Sequence, residues 1–155
     1  YLLENMFVRG IIPGPNEPSA DELNQFVQPI VEQFVRTWRP GLKVSSTAQS
    51  KSGAVVEAIL LLYVNNLPAA CKVSGFQGPM SNFICTICKL RGMHQIFMDH
   101  KCWIPRDVTE LCQWSTAYRD AQTLDERKAI FNEYGVCWSS LWLLHQQKGV
   151  KPMMT

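Results

Sequence analysis

The sequence predicts an α/β chain with few strands, one long N-terminal helix and a helical, cysteine-bearing insertion. Three observations lead there. A capped apolar stripe with 3-4 spacing runs from Ser19 to Trp38. A nearly continuous apolar run, AVVEAILLLYV, spans 54–64, as expected of a strand covered on both faces. An aperiodic stretch at 83–106 holds Cys85-x-x-Cys88 and precedes two helical segments. The 155 residues suffice for about one domain, and 46% hydrophobic content with five Trp rules out a disordered tail. A net charge of +2 is too small to imply nucleic acid by itself. No apolar run approaches the roughly 18 residues a membrane span needs, and no charged-then-apolar leader opens the chain. The first residue is Tyr1, and the chain is expected to be a piece of a longer protein.

Taken in order, Phe7–Ile12 (FVRGII) reads as a short strand, and PGPNEP breaks it. Ser19-x-x-Glu22 is a capping box: the hydroxyl takes an orphan amide and the carboxylate reaches back. Leu23, Phe26, Val27, Ile30, Val31, Phe34, Val35 and Trp38 then form one buried helix face. Pro29 lies inside this helix and leaves the Gln25 carbonyl without a donor, so a kink is expected there. Arg39-Pro40-Gly41 ends it. Lys43–Ala48 reads as a strand and QSKSG as its turn. The run 54–64 is expected as a central strand, a helix being the competing reading; the early β-branched pair and the Asn65-Asn66 stop favour the strand. Asn66-Leu67-Pro68 is a helix entry, because Asn caps well and Pro has no first-turn amide to lose. Gly75 ends that helix. Asp107–Arg119 and the segment after the capping box Thr123-x-x-Glu126 are helical, with Gly135 as a stop. Val136–Leu144 is a short apolar segment, and the rest reads as a loose tail.

The six cysteines stand at 71, 85, 88, 102, 112 and 137. Without a secretory signal they read as reduced thiols. Cys71, Cys112 and Cys137 occupy apolar positions of expected elements and read as core. Cys85 and Cys88 have the spacing of a zinc knuckle. The candidate zinc set is Cys85, Cys88, His100 and Cys102, with His94 as a substitute for either of the last two. Two other readings stay open: small buried hydrophobes, or a redox dithiol, although the helix-start context of a redox C-x-x-C is missing. Lys89, Arg91, Lys101 and Arg106 surround the cysteines, opposed by Asp99. They form either a solvated loop or a surface for a DNA backbone. The tryptophans read as core rather than stacking platforms, Glu57 carries no assignment, and Asp107 and Asp120 read as caps or solvated charges.

ENMFVRGIIPGPNEP, TWRPG, NNLPAACKVSGF, FICTICKL, WIPRDVTEL and AYRDAQTLDERKAIFNEYGVCWSSLW occur in this order over Glu4–Leu143. Together they resemble the central part of fungal CACTA-like DDE transposases of the Kyakuja–Dileera–Zisupton type. The resemblance implies a partial RNase H-like core at 1–82, a C-x-x-C-containing helical insertion at 83–144 and a tail at 145–155. It implies DNA as partner, the nucleus as location, and partner transposase chains or self-association. It also implies three acidic residues holding two Mg²⁺ ions, since that ion takes hard, charged oxygen ligands. The family's second acid is the Asp of N-D-L-P-A, which falls on Asn66 here. The first precedes the ENMF segment. The third belongs to an Asp-Pro-Met-His-like segment, where this chain reads LLHQQKGVKPMMT. Asn keeps the helix cap and loses the charge, so DNA cleavage by this chain is not expected. The rival expectations are a domesticated DNA- or protein-binding module with a zinc knuckle, and a plain helical interaction domain without metal. Exposed strand edges predict poor solubility of the isolated chain.

Overall fold

The computed structural model describes residues 8, 10–60, 63–92 and 99–145. Helix α1 spans Ala20–Trp38, strands β1 and β2 span Leu42–Val44 and Ala54–Val56, and α2 spans Leu67–Ser74. A single 3₁₀ turn, His100–Cys102, precedes α3 (Val108–Asp120), α4 (Leu124–Tyr134) and the short α5 (Trp142–His145). The fold is therefore mixed, mainly helical, with a small two-stranded antiparallel sheet.

The local start and stop signals act as the sequence predicts. Ser19 accepts from the Glu22 amide while the Glu22 carboxylate accepts from the Ser19 amide, closing the box at the head of α1. Thr123 and Glu126 do the same for α4. Asp107 caps α3 by accepting from the amides of Thr109 and Glu110. Pro29 lies within α1, which continues past it to Trp38. Of the face expected to be buried only Val27 and Val31 are; Leu23, Ile30, Phe34, Val35 and Trp38 are half-buried and Phe26 is 46% exposed, so among the described residues the stripe is covered only along its middle.

The strands differ from expectation. Val8 and residues 10–12 lie in no strand. The first expected strand of the hairpin starts at Leu42 and ends at Val44 instead of spanning Lys43–Ala48. The apolar run is a strand only at Ala54–Val56, where all three residues are exposed. Leu42 pairs with Val56 and Val44 with Ala54. A run that apolar was expected between two neighbouring strands, yet among the described residues β2 has one neighbour in the sheet, β1, joined by the loop 45–53. Two faces can be covered only by layers on both sides, and among the described residues β2 lacks them.

The core lies at the other end of the chain. Leu111, Val136 and Trp142 form its buried cluster, with Phe76, Trp114, Tyr134 and Trp138 packed against it. Two helix ends meet there. Gly75 and Gly135 both sit in the left-handed region, φ 74° and 72°, after α2 and α4, where a side chain is strained. The two turns then pair backbone to backbone: Cys137 N–H donates to Gly75 at 2.7 Å and Gln77 N–H to Gly135 at 3.1 Å. A Cβ on Gly75 would lie 2.5 Å from the Cys137 carbonyl oxygen.

Buried hydroxyls bind this segment to its surroundings. Ser139 Oγ donates to the Val73 carbonyl at 2.6 Å and Ser115 Oγ to Cys137 at 2.9 Å. Asn24 of α1 donates to the Trp138 carbonyl and accepts from the amide and hydroxyl of Ser140, all at 2.8 Å. Buried polar groups are costly when unpaired, so each of these contacts fixes how residues 136–140 are threaded. These contacts cross the expected division at residue 82.

Candidate functional site

The Asn66 side chain begins α2. Its Oδ1 accepts the Ala69 amide at 3.2 Å, Pro68 occupies the first turn, and Gly75 closes the helix. The cap expected from the sequence is present. Asn66 is exposed, its one amide oxygen is neutral, and that oxygen is already an acceptor. A Mg²⁺ site needs charged oxygens in number, so the residue present does not fit one.

Beyond α2 a cleft of about 380 Å³ lies between Leu67, Ala70 and Cys71 on one side and Thr86, Ile87 and Pro105 on another. The far wall is the C-x-x-C turn. It is held by two strand-like backbone bonds: Lys89 N–H donates to Ile104 at 2.8 Å and Arg106 N–H to Ile87 at 2.9 Å. Within the turn, the Cys85 sulfur accepts the amides of Ile87 at 3.4 Å and Cys88 at 3.3 Å. Cys88 is buried and Cys85 half-buried. Burial opposes ionisation of Cys85, but bonds from the Cys88 thiol and the two amides, with the Arg106 guanidinium, outweigh it and hold the thiol below its ordinary value. Cys88 shifts up, through burial first and its neighbour Cys85 second. The two thiols are thus unequal, Cys85 being the more acidic of the pair.

The other members of the expected zinc set stand apart. His100 and Cys102 are exposed on the 3₁₀ turn, where Asp99 accepts the Lys101 amide and the Cys102 thiol points to Asp99 at 3.8 Å. His94 lies outside the described residues. Among the described residues no three His, Cys, Asp or Glu side chains come together as a metal-binding group. The structure brings Cys85 and Cys88 together and does not join them to His100 and Cys102. Cys71 and Cys137 are buried and Cys112 is half-buried. Burial pushes Cys137 up to about 12, so it is inert, as a core cysteine should be.

Arg106 is the hub that sequence reasoning placed only in a basic cluster. Its guanidinium donates to the carbonyls of Cys88 and Tyr134, each at 3.3 Å, and stands 4.7 Å from the centre of the Phe83 ring. Burial lowers its affinity for a proton, and the two cysteines partly offset that. Arg91 approaches the same ring at 4.6 Å and donates to the Glu133 carbonyl at 3.2 Å. Lys89 pairs with Glu110 at 2.9 Å. Phe83 is buried, and nothing in its surroundings in the sequence marks it, because no periodic pattern runs through that stretch. Glu57 is exposed, and Asp120 pairs with Arg119 at 2.8 Å. Among the tryptophans, Trp142 is buried, Trp114 stacks on Tyr134 with centroids 3.6 Å apart, and Trp103 is exposed.

No helix among the described residues is long and apolar enough to cross a membrane. Neither the curated proteins nor the solved structures yielded a match. The model of the transposase family tnp2 does match, over residues 3–122. That interval takes in α1, the hairpin, the Asn66-capped helix, the cysteine turn and α3, and it is well over half of the chain. The chain therefore belongs to the tnp2 transposase family.

Proposed function

We propose that this chain serves DNA transposition as a non-cleaving component. The reading is supported by the family and by one observation at the position that carries a catalytic Asp in the relatives it resembles. There, Asn66 offers a neutral oxygen that already caps α2 at 3.2 Å. Strand cleavage by the two-metal route requires carboxylates facing both ions, and an Asn cap does not replace one. The finer parts of the reading are a CACTA-like element of the fungal Kyakuja–Dileera–Zisupton type, an RNase H-like core, a nuclear setting and partner transposase chains. These rest on the ordered segments that the sequence shares with that group.

Nicking of a supercoiled plasmid in Mg²⁺ or Mn²⁺ tests the central statement. The wild-type chain is expected to leave the plasmid intact. Chelator-sensitive nicking by the wild-type chain overturns the reading. Asn66→Asp keeps an equally good cap, so any nicking gained by that variant assigns the loss of chemistry to residue 66.

The cysteine turn adds a structural Zn²⁺ to the proposal. Cys85 and Cys88 supply two of the four donors that a closed zinc site takes; His100 and Cys102, the sequence candidates for the others, stand apart from the pair and would have to close onto it. One equivalent of zinc per chain, lost in Cys85→Ser and Cys88→Ser, is the expected result. A zinc-free chain purified in the presence of zinc overturns it.

A second reading, a binding module that retains the fold, draws on the exposed Leu42, Val55 and Val56 of the hairpin. Apolar residues at a sheet edge favour association with another chain. Saturable, salt-dependent DNA binding without nicking favours the DNA-holding form of this module, and a self-associating chain that ignores DNA favours the protein-binding form.

A further inference from the structure

A cleft of about 150 Å³ opens beside the cysteine turn, lined in part by Phe83, Lys89, Arg91, Arg106, Glu110 and Tyr134. Its volume is well above the roughly 10–15 Å³ that a single water needs, so an anion of several heavy atoms can enter. The charges inside are unevenly matched. Lys89 is neutralised by Glu110 at 2.9 Å. Arg91 and Arg106 both approach the Phe83 ring, at 4.6 and 4.7 Å, and among the described residues the hydrogen bonds of both go to backbone carbonyls, while Cys85, Cys88 and Glu110 attract Arg106 without a direct ion pair. Among the described residues neither guanidinium has a carboxylate within ion-pair distance.

The two guanidiniums against one buried ring repel each other, and an anion at Arg91 relieves that repulsion. Guanidinium forks match the oxygens of a phosphate, two N–H donors to two oxygens. The fork of Arg106 is fixed by Cys88 and Tyr134, and that of Arg91, at the exposed edge, has donors left over among the described residues after its bond to the Glu133 carbonyl.

We propose that this cleft takes one backbone phosphate of DNA, with Arg91 as the contacting residue and Arg106 as the residue that positions Phe83 and the cleft wall. The proposal rests on the DNA reading above and names the place where the contact is made. The Glu133 side chain also lies at the cleft, so its carboxylate opposes the incoming phosphate and limits affinity.

The test is fluorescence anisotropy of a labelled random-sequence duplex from 50 to 200 mM salt. Each phosphate contact contributes about 0.9 to the slope of log affinity against log salt. Arg91→Gln is expected to flatten the slope by about one contact, a loss relative to wild type that is about 3- to 4-fold larger at 50 mM than at 200 mM salt. Lys51→Gln, on the hairpin turn, removes the same charge elsewhere and should leave the slope alone. Glu133→Gln should tighten binding. Arg91→Lys should restore the slope, since the charge returns, but not the full affinity, since the fork does not. Melting curves confirm that each variant folds. Binding with an unchanged slope in Arg91→Gln overturns this inference and leaves the transposition reading standing. No duplex binding by the wild-type chain overturns both. Stabilisation by inorganic phosphate without duplex binding makes the cleft a small-anion site and overturns the DNA assignment.

Discussion

The hairpin and the closing segment at 135–142 are both short and apolar, yet they end up in opposite environments. Val55 and Val56 are 61% and 45% exposed, whereas Val136 is 1% exposed and Trp142 7%. Hydrophobicity alone does not separate them. The difference is what the neighbouring backbone offers. Residues 135–140 meet the end of α2, the hydroxyl of Ser115 and the amide of Asn24, so their polar groups are satisfied in the interior. Among the described residues strand β2 pairs in its sheet with β1 alone. Burial follows from having partners for the backbone as much as from having apolar side chains.

Substitutions can break or sharpen this comparison. The largest effect is expected from Trp142→Ala, which empties the centre of the core cluster; about 3–5 kcal/mol is lost, a large share of the roughly 5–15 kcal/mol that holds an ordinary domain folded. Denaturant titration reads it, and a loss below about 1 kcal/mol would mean that the closing segment is not the centre of the fold. Gly75→Ala should come next, at about 1–3 kcal/mol, because a Cβ at φ 74° would press on the Cys137 carbonyl oxygen. Asn24→Ala removes three hydrogen bonds to 138–140 and should cost a similar 1–3 kcal/mol, roughly. Val55→Thr on the hairpin should change stability by no more than about 0.5 kcal/mol. If Val55→Thr matches Asn24→Ala, the hairpin is covered in solution and the contrast fails.

The smallest effect is electrostatic. The amide and hydroxyl of Ser19 hold the Glu22 carboxyl below its ordinary value near 4.5. A depressed folded-state value means that the charged form stabilises the fold above that ordinary value, and the contribution disappears as pH falls through the lower folded one. Gln at position 22 keeps a hydrogen-bonding side chain without titrating. The melting temperature of the wild-type chain should therefore drop relative to Glu22→Gln only below pH about 4.5. A gap between the two that is constant down to strong acid would show that the box acts without its charge.

What the sequence made legible was local. Ser19 with Glu22, Thr123 with Glu126, Asn66 before Pro68, Asp107, Gly75 and Gly135 each act within a few residues of themselves, and all appear where expected. The spacing of Val27 and Val31 likewise identified a buried helix face. What stayed illegible depends on segments far apart in the chain. The extent of β2 depended on which neighbours it would find, which its own residues do not encode. Ser115, Ser139 and Ser140 look like surface residues in the sequence, yet each is at most 1% exposed, because Cys137, Val73 and Asn24 stand opposite them. The cysteine spacing pointed to the right pair. It did not reveal that Arg106, 18 positions after Cys88, donates to that turn while His100 and Cys102 stay outside it.

The pairing of Gly75 with Cys137 has a kinetic consequence. During synthesis the first two helices emerge long before the residues that seal them, and the bond from Asn24 to Ser140 closes a span of 116 positions. Contacts so distant in sequence are formed late, after the entropy of closing the loop has been met. A nascent chain halted before residue 135 holds α1 and α2 without the hydrogen bonds that Asn24 and the Val73 carbonyl make to residues 138–140. The hydrogen bonds from residues 137–140 to α1 and α2 therefore close only after nearly all of the described chain has been made.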